Sequence, residues 1–335
     1  MEHFGGRIAV VTGGGTGMGR ELALQLATEG CHVAMCDVSA DDMAETGKLC
    51  AEAAPEGTRV TTFLADVSDE AAVLAFRDAV AAEHDTDCIH LLFNNAGIGG
   101  GGSLLGTTRE EWDHTFGVDW GGVYHGTRAF LGLLLAADEG HVVNTSSVNG
   151  FYAALGPNGP HTAYSAAKFA VKGFTEALIT DFRLNAPHLH AHVVMPGHIG
   201  TSIILNSMKI HQGTGVTGEG GDAGGEAGGE AGGEAGGQRR RAMLQTMGFP
   251  VDTATDDELD AAMTLIGEGF RDMAPTTAAQ AATIILDGVR ANRWRILVGD
   301  DAHRLDEAVR ADPESAYTPE FWPALQAEGH FSGAG

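Results

Sequence analysis

A glycine-rich turn near the start of the chain lies between an apolar run and an amphipathic segment, and it restricts the possible folds more than any other feature. Arg7–Thr12 is short, apolar and rich in β-branched residues, which is typical of a buried strand. The turn TGGGTGMG spans Thr12–Gly19, and Glu21–Gly30 follows with apolar residues at helical spacing. Where a strand passes through glycines into a helix, the backbone can approach a pyrophosphate, and the first helical amides face its charge.

The rest of the chain repeats this alternation of strand and helix. The predicted strands are Arg7–Thr12, His32–Asp37, Arg59–Leu64, His90–Asn94, His141–Ser146, His190–Met195 and Trp294–Val298. The predicted helices are Glu21–Gly30, Asp41–Ala54, Asp69–Glu83, Arg109–Ala137, Ala163–Asn185 and Thr277–Ala291. Because the strands are continuously apolar and separated by helices, the sequence predicts an α/β fold: a doubly wound parallel sheet, Rossmann-like, in one domain over residues 1–335.

The charge of the chain disfavours two classes of partner. Among 335 residues, 20 are Lys or Arg and 45 are Asp or Glu, so the formal net charge is −25. We therefore expect no nucleic-acid partner and no docking on anionic membranes. The first residues lack the basic and apolar regions of a signal peptide, and the longest strongly apolar stretch, Ala129–Ala137, is too short to span a bilayer. The four cysteines form no CxxC pair and no plausible disulfide framework, which favours a cytoplasmic setting.

Two segments stand apart from the alternation. Residues 211–241 contain repeats of AGGE and few large apolar residues, so we predict a disordered Gly/Glu-rich insertion in the substrate-loop region. It could be a tolerated loop expansion, a mobile lid or a tether for a partner. Residues 300–335 are predicted to be a C-terminal extension.

An acidic residue ends the second predicted strand. The carboxylate of Asp37 can accept hydrogen bonds from both adenosine-ribose hydroxyls and would repel a 2′-phosphate. The glycine turn contains no Lys or Arg, and Val38 follows Asp37. These features predict NAD, rather than NADP, as the cofactor.

Three further residues are candidates for catalysis. Tyr164 and Lys168 lie four residues apart, so both should project from one helix face. The Lys168 cation would lower the pKa of Tyr164 from its free value of about 10. Ser147 follows the fifth predicted strand, at the sheet edge where ligands bind in such folds.

These motifs occur together in one known family. Thr12–Gly19, Asn94–Gly97 (NNAG), Ser147, the Tyr164/Lys168 pair and Pro196–Gly197 follow in the order and spacing of the short-chain dehydrogenase/reductase family. The chain resembles the short, single-domain branch of this family over about residues 5–300, apart from the insertion. The resemblance implies a Rossmann-like sheet of about seven strands and a homodimer or homotetramer.

The resemblance also implies catalytic roles. Tyr164 would be the general acid/base, Ser147 would hydrogen-bond the carbonyl or alcohol oxygen, and Lys168 would bind the nicotinamide ribose. The family has an Asn on its long helix where this chain has Asp119. The family uses mainly the backbone carbonyl of that residue, so we expect activity to survive the change. The Asp119 carboxylate would also help to keep Lys168 charged.

The remaining implied contacts concern the cofactor and the substrate. The expected cofactor-binding residues are Thr12, Gly13, Gly15, Thr16, Gly17, Met18, Gly19, Asp37, Asp66, Val67, Asn94, Ala96, Gly97, Tyr164, Lys168, Pro196, Gly197, Ile199 and Thr201. The expected substrate-binding residues are Ser147, Asn149, Phe151, Tyr152 and Tyr164, with a mostly apolar wall from Ile203, Ile204, Met208, Met243 and Met247. The histidines at positions 188, 190 and 192 alternate around a strand start and form no recognised ligand motif, so no metal site is predicted.

Together these residues predict an NAD-dependent oxidoreductase that interconverts a secondary alcohol and a ketone, and the apolar wall favours an apolar or aromatic substrate. Two alternatives stay open. A 3-oxoacyl-thioester reductase of the same family would call for an NADP-type basic site and a basic patch for an acidic carrier. A regulator that senses the dinucleotide without turnover would be favoured by loss of Tyr164 or Lys168, and the chain has both.

Overall fold

A parallel sheet of seven strands forms the centre of the molecule. The computed structural model describes residues 1–156, 159–211, 241, 244, 251 and 253–327. Its strands are β1 (Ile8–Thr12), β2 (His32–Asp37), β3 (Val60–Leu64), β4 (Leu91–Asn94), β5 (Gly140–Thr145), β6 (Ala154–Leu155), β7 (Gly159–Pro160), β8 (Leu189–Pro196), β9 (Ile199–Gly200), β10 (Thr276–Thr277) and β11 (Arg295–Val298). The sheet order is β11-β8-β5-β4-β1-β2-β3, so the Rossmann-like prediction is confirmed. Strands β6 and β7 pair antiparallel, and β9 and β10 pair parallel, in two small sheets.

Helices cover both faces of the sheet. They are α1 (Gly17–Thr28), α2 (Ala40–Ala53), α3 (Glu70–Glu83), α4 (Arg109–Phe116), α5 (Gly122–Leu135), α6 (Thr162–Asn185), α7 (Ile203–His211), α8 (Asp256–Asp272), α9 (Ala278–Arg290), α10 (Asp300–Ala311) and α11 (Phe321–Ala327). The apolar faces of α1, α2 and α9 pack on one side of the sheet, and those of α3, α5 and α6 pack on the other. The central strands are buried on both faces, which explains their continuous apolar sequences.

The predicted long helix 109–137 is interrupted. A π-helical turn, Gly117–Gly121, separates α4 from α5. Such a turn widens the helix by one residue and is frequent at functional sites. It carries Asp119 into the interior, where none of that side chain is exposed.

Four helices were not expected from the sequence, namely α7, α8, α10 and α11. One of them had a readable start signal, because Thr255 and Glu258 form a capping box at the beginning of α8. Residues 212–240 of the predicted disordered insertion lie outside the described residues, as do Met243 and Met247. Among the helices of the described residues, none is long and apolar enough to cross a membrane.

Candidate active site

The glycine turn closes against the end of β4. Gly13 has a φ of +67°, and a Cβ placed there would lie 2.7 Å from the Ala96 Cα. A Cβ on Gly19 would lie 1.9 Å from the carbonyl oxygen of Gly13. Only glycine fits these two positions, so the tight strand-to-helix passage depends on them.

Side chains fix the turn in this position. The Thr12 hydroxyl accepts hydrogen bonds from the backbone amides of Asn95 (3.0 Å) and Ala96 (3.1 Å). The amide group of Asn95 donates back to the carbonyl oxygens of Thr12 (3.2 Å) and Gly13 (3.3 Å). Sequence reasoning assigned roles to the neighbours of Asn95 but none to Asn95 itself, although the repeated Asn at the end of β4 was a visible signal.

Asp37 lies at the carboxyl end of β2, beside the turn. Its Oδ2 accepts a hydrogen bond from the Gly15 amide (2.9 Å), and its Oδ1 accepts from the amides of Val38 (2.7 Å) and Ser39 (3.2 Å). Burial raises the pKa of the Asp37 carboxyl above its usual value, and the three amides act in the opposite direction. The carboxylate is therefore fixed next to the glycine turn, as the sequence predicted.

Ser147, Tyr164 and Lys168 meet at the carboxyl edge of the sheet, where the strands end. Ser147 follows β5, and its hydroxyl accepts from the Asn149 backbone amide at 3.1 Å. The Ser147 hydroxyl also acts to lower the pKa of Tyr164, because it can donate to the Tyr164 oxygen. Tyr164 and Lys168 lie on consecutive turns of α6, with the Lys168 Nζ 5.2 Å from the centre of the Tyr164 ring. The structure thus brings together the three residues predicted to be catalytic.

A buried ion pair supports this group. The Nζ of Lys168 lies 2.9 Å from the Oδ1 of Asp119, and the two side chains are 3% and 0% exposed. Lys168 also donates to the carbonyl oxygen of Thr145 at 3.2 Å, and Asp119 Oδ1 accepts from the Ile98 amide at 3.3 Å. Although burial acts to lower the pKa of Lys168, the Asp119 carboxylate and the Tyr164 oxygen together more than offset this and raise it. Lys168 is therefore held in its charged form.

The pKa of Tyr164 differs from the sequence-based expectation. Burial raises the pKa of its hydroxyl above the usual value, and Lys168 and Ser147 only partly oppose this. The Asp119 carboxylate, which neutralises much of the Lys168 charge, acts in the same direction as burial. Lys168 therefore acts on the pKa of Tyr164 in the predicted direction, but burial outweighs it, and the net shift is upwards.

A histidine lies flat against the catalytic tyrosine. The ring centres of His161 and Tyr164 are 4.4 Å apart, and the ring planes differ by 18°. Burial, together with the Lys168 cation, lowers the pKa of His161 to about 4, so this ring is neutral near pH 7. Its Nδ1 is buried and has no hydrogen-bond partner among the described residues.

The chain can now be placed in a family. A family model described as short chain dehydrogenase matches residues 7–209. The chain belongs to the short-chain dehydrogenase family. Such enzymes are NAD(P)-dependent oxidoreductases that act on CH–OH groups, and this membership confirms the class of enzyme expected from the motifs.

Relatives and solved structures agree with this placement. The chain is 40% identical to SadH of Mycobacterium tuberculosis over 207 residues, which cover 62% of this chain and 72% of SadH. It is 35% identical to levodione reductase of Leifsonia aquatica over 208 residues, covering 62% and 74% of the two chains. A short-chain dehydrogenase/reductase from Burkholderia phymatum, solved with NAD, aligns with a TM-score of 0.72 and 27% identity over 95% of this chain and 98% of its own. Related structures hold NAD or NADP.

Two residues expected to bind ligands in this dehydrogenase have other contacts. Asn149 is buried, and its amide group donates to the carbonyl oxygens of Tyr152 (2.9 Å) and Ala154 (3.1 Å). Asn94 is also buried, and its amide group donates to Thr127 (3.0 Å) and to Asn144 (2.8 Å). Both side chains hold the scaffold in place, and neither amide group is left to donate to a ligand.

The predicted aromatic wall of the substrate pocket is displaced as well. Tyr152 is only 4% exposed and stacks on Tyr317 and Trp322, with ring centres 5.4 Å and 6.3 Å apart. Phe151 packs beside the same cluster and carries the Arg295 guanidinium over its ring. These two aromatic residues anchor the loop after β5 to the C-terminal extension, because helices α10 and α11 of that extension turn apolar side chains towards the loop.

The other expected cofactor residues lie around the same edge. Asp66 Oδ1 accepts from the Ser68 amide and hydroxyl, both at 2.8 Å, and the Val67 carbonyl oxygen contacts His125 Nδ1 at 3.0 Å. Pro196 ends β8, and Ile199 and Gly200 form β9. Three expected residues lie just after strands: Gly97 after β4, Gly197 after β8 and Thr201 after β9. In the glycine turn, Thr16 precedes α1, and Gly17 and Met18 are its first two residues.

One contact between the substrate side and the turn was missed. The side-chain amide of Asn206, on α7, donates to the Thr16 hydroxyl at 3.0 Å. A Cβ on Gly17 would lie 3.2 Å from the Thr201 methyl group. The segment 201–206 therefore packs directly on the glycine turn. On the same helix, Ile204 faces Gly267, and Met208 packs beside Leu244.

Proposed function

We propose that this short-chain dehydrogenase interconverts a secondary alcohol and a ketone, with NAD as cofactor and Tyr164 as general acid/base. The observation that carries the proposal is the joint placement of Ser147, Tyr164 and the buried Lys168–Asp119 pair at one sheet edge. The relative named levodione reductase supports a ketone as substrate.

The residues of the glycine turn fit a dinucleotide. A Cβ has no room at Gly13 or Gly19, so the chain passes tightly from β1 into α1, whose first backbone amides suit a phosphate. The Asp37 carboxylate beside Gly15 is an acceptor suited to ribose hydroxyls. When bound, NAD would accept or supply the hydride at its nicotinamide ring.

The preference for NAD rests on charge beside the turn. The Asp37 carboxylate would repel a 2′-phosphate. Arg20 follows the turn, but its guanidinium is engaged by the Gly15 carbonyl oxygen (3.0 Å), by Thr46 (2.9 Å) and by Glu45 (2.8 Å). Because the Arg20 guanidinium already pairs with the Glu45 carboxylate, it is less suited to bind the 2′-phosphate of NADP than an unpaired cation would be.

The protein groups divide the chemistry among them. In the direction of oxidation, the Tyr164 oxygen accepts the hydroxyl proton of the alcohol, and in reduction it returns that proton to the carbonyl oxygen. The Ser147 hydroxyl donates a hydrogen bond to the same substrate oxygen as charge develops there. Lys168 stabilises the Tyr164 phenolate, and Asp119 keeps Lys168 protonated in a buried site.

A substrate panel tests the proposal. Purified protein is mixed with secondary alcohols and ketones in the presence of NAD(H) or NADP(H), and formation or loss of the reduced nicotinamide is followed by absorbance. We expect turnover of at least one substrate with NAD and much weaker turnover with NADP. Comparable use of NADP would overturn the cofactor assignment, and equal activity of Tyr164→Phe would overturn the mechanism.

A variant at Asp37 isolates the cofactor preference. Asp37→Ala removes the acceptor for the ribose hydroxyls, so NAD affinity should fall by about 10–100-fold, which corresponds to hydrogen bonds of a charged group. NADP affinity should stay the same or rise, because a repulsive charge is lost. Binding is measured by titration of cofactor fluorescence, with Asp41→Ala on the exposed start of α2 as the control. An equal loss for both cofactors would show that Asp37 only supports the turn.

A further inference from the structure

A second cluster of polar side chains lies at the amino edge of the sheet, where the strands begin, away from the catalytic residues. His141 and His190 are direct partners across β5 and β8, and their ring centres are 4.9 Å apart. Glu139 precedes β5, and its Oε1 lies 3.2 Å from the Nε2 of His141. One ligand atom from each of the three residues lies within 4.8 Å of the others.

The hydrogen-bond chain behind His141 fixes which of its nitrogens carries a hydrogen. The Nδ1 of His192 lies 2.7 Å from the Arg293 carbonyl oxygen, which can only accept, so this Nδ1 bears the hydrogen. In the neutral ring, the Nε2 of His192 is then an acceptor. It lies 2.8 Å from the Nδ1 of His141, so that nitrogen donates to it. The Nε2 of His141 is left with a lone pair that faces Glu139.

Two acceptors therefore face each other at 3.2 Å: the lone pair of a neutral imidazole and a carboxylate oxygen. His141 is fully buried, which disfavours a charged ring and agrees with this assignment of the hydrogens. The pair calls for a cation between or beside the two atoms. The Met1 ammonium, 2.7 Å from the same Oε1, neutralises the carboxylate, but no described residue donates a hydrogen bond to the imidazole nitrogen.

The separation of the two atoms matches metal coordination. Zinc bonds to His nitrogen and carboxylate oxygen measure about 2.0–2.2 Å, and tetrahedral angles then place two ligands roughly 3.3–3.6 Å apart, slightly more than the 3.2 Å found here. The side chain of Asn292 meets the Nδ1 of His190 at 3.2 Å, which leaves the Nε2 of His190 as the nitrogen for an ion. After a half-turn of its amide, the Asn292 oxygen would accept the Nδ1 hydrogen. His192 orients His141 from behind, as outer partners of metal-bound histidines do.

We propose that Glu139, His141 and His190 form a binding site for a divalent transition-metal ion of the zinc type. The ion would take the Glu139 oxygen from the Met1 ammonium and use the bare Nε2 of His141. It would join the beginnings of β5 and β8, the two strands whose other ends lead to Ser147 and Gly197. The site opposes the sequence-based prediction that the chain has no metal site.

The site is tested with Zn²⁺ as the probe. The full chain is dialysed against a chelator, then titrated with Zn²⁺ by calorimetry, and its melting temperature is recorded with and without the ion. We expect one Zn²⁺ per chain and a higher melting temperature with zinc, because an ion that binds only the native state stabilises it. Failure of the wild type to bind one ion per chain would overturn the proposal.

Variants locate the ion. Glu139→Gln and His190→Asn both change partly exposed residues, and each should weaken Zn²⁺ binding at least tenfold. His303→Asn, on the exposed side of α10, is the control and should bind as the wild type does. Unchanged affinity in both ligand variants would overturn the assignment. Zinc anomalous scattering from wild-type crystals gives a check that needs no variant: density between Glu139 and His141 supports the site, and zinc found only elsewhere refutes it.

Discussion

The two edges of the sheet bury polar groups in opposite ways. At the carboxyl edge, Lys168 and Asp119 are buried as an ion pair 2.9 Å apart. At the amino edge, His141 and His192 are fully buried, and burial lowers the pKa of each, to about 3 and about 4. A buried ionisable group must either be paired with the opposite charge or lose its charge. The carboxyl edge pairs its charges, and the amino edge keeps its histidines neutral.

The difference shows what each edge is suited to do. A buried ion pair contributes little net stability, because desolvation offsets the attraction. The presence of the Lys168–Asp119 pair at the carboxyl edge therefore fits a role in the reaction at Tyr164. A chain of neutral imidazoles costs less to bury and ends in a lone pair directed at a carboxylate. We therefore expect changes at the carboxyl edge to alter turnover and changes at the amino edge to alter stability.

Tyr164→Phe should give the sharpest separation of these effects. The change removes only the phenolic oxygen, so turnover should fall by about 10²–10⁴-fold, the usual contribution of a general acid/base. The melting temperature and NAD affinity should stay close to those of the wild type. Steady-state kinetics and calorimetry measure both, with Tyr124→Phe, at an exposed tyrosine of α5, as the matched control. Near-normal turnover would contradict the role of Tyr164.

Breaking the ion pair should affect turnover and stability together. Lys168→Met leaves the Asp119 carboxylate buried without its cation, which should destabilise the fold by about 3–5 kcal/mol. The double variant Lys168→Met/Asp119→Leu removes the unpaired charge, so it should recover most of that stability but none of the turnover. Urea unfolding at neutral pH measures the stabilities. If the double variant were as unstable as the single one, the pair would serve mainly to hold α6 against the π-helical turn.

The amino edge should dominate the loss of stability in acid. His84, near the start of β3, is buried, and burial, with Arg59 and His32 nearby, lowers its pKa to about 4. In the unfolded chain the pKa is about 6.5, so below that pH the unfolded state binds the proton more readily and stability falls as pH decreases towards 4. His84→Gln should reduce this pH dependence by about 1 kcal/mol per pH unit. Urea unfolding at a series of pH values tests it, and a slope equal to that of wild type would contradict the buried neutral state.

The smallest effect is expected for Asp119→Asn, which restores the residue that is usual in the family. An Asn side chain can still accept a hydrogen bond from Lys168, so turnover should stay within about tenfold of wild type. Kinetics at several pH values provide the measurement. A collapse of turnover would show that the negative charge itself, and not only an acceptor, is needed to hold Lys168 protonated.

Local signals predicted most of the scaffold and the centre of the site. The glycine turn, Asp37 and the Tyr164/Lys168 spacing each depend on neighbours close in sequence, and the structure places them as expected. The seven strands were found because each is rich in apolar or β-branched residues and is separated from the next by a helical segment.

Contacts between distant segments account for what was missed. The aromatic residues after β5 were assigned to the substrate pocket because nothing local shows that Tyr317 and Trp322 cover Tyr152. The sequence indicated the direction in which Lys168 acts on the pKa of Tyr164, but not the net shift, because that depends on burial and on Asp119, which lies in another segment. The meeting of His141 with His190 at the amino edge could not be seen in the sequence, because it depends on the pairing of β5 with β8.

The π-helical turn has a consequence for how this enzyme can be changed by insertion and deletion. A π-helical turn is equivalent to one extra residue within an α-helix. Removing a single residue from Gly117–Gly121 would let α4 and α5 join as one regular helix, but would rotate one half against the other by about 100°. Either Asp119 would leave Lys168, or Thr127 would leave Asn94 in the core. The length of this short segment is therefore constrained more tightly than its composition. Among variants that stay active, insertions or deletions in Gly117–Gly121 should be far rarer than substitutions there.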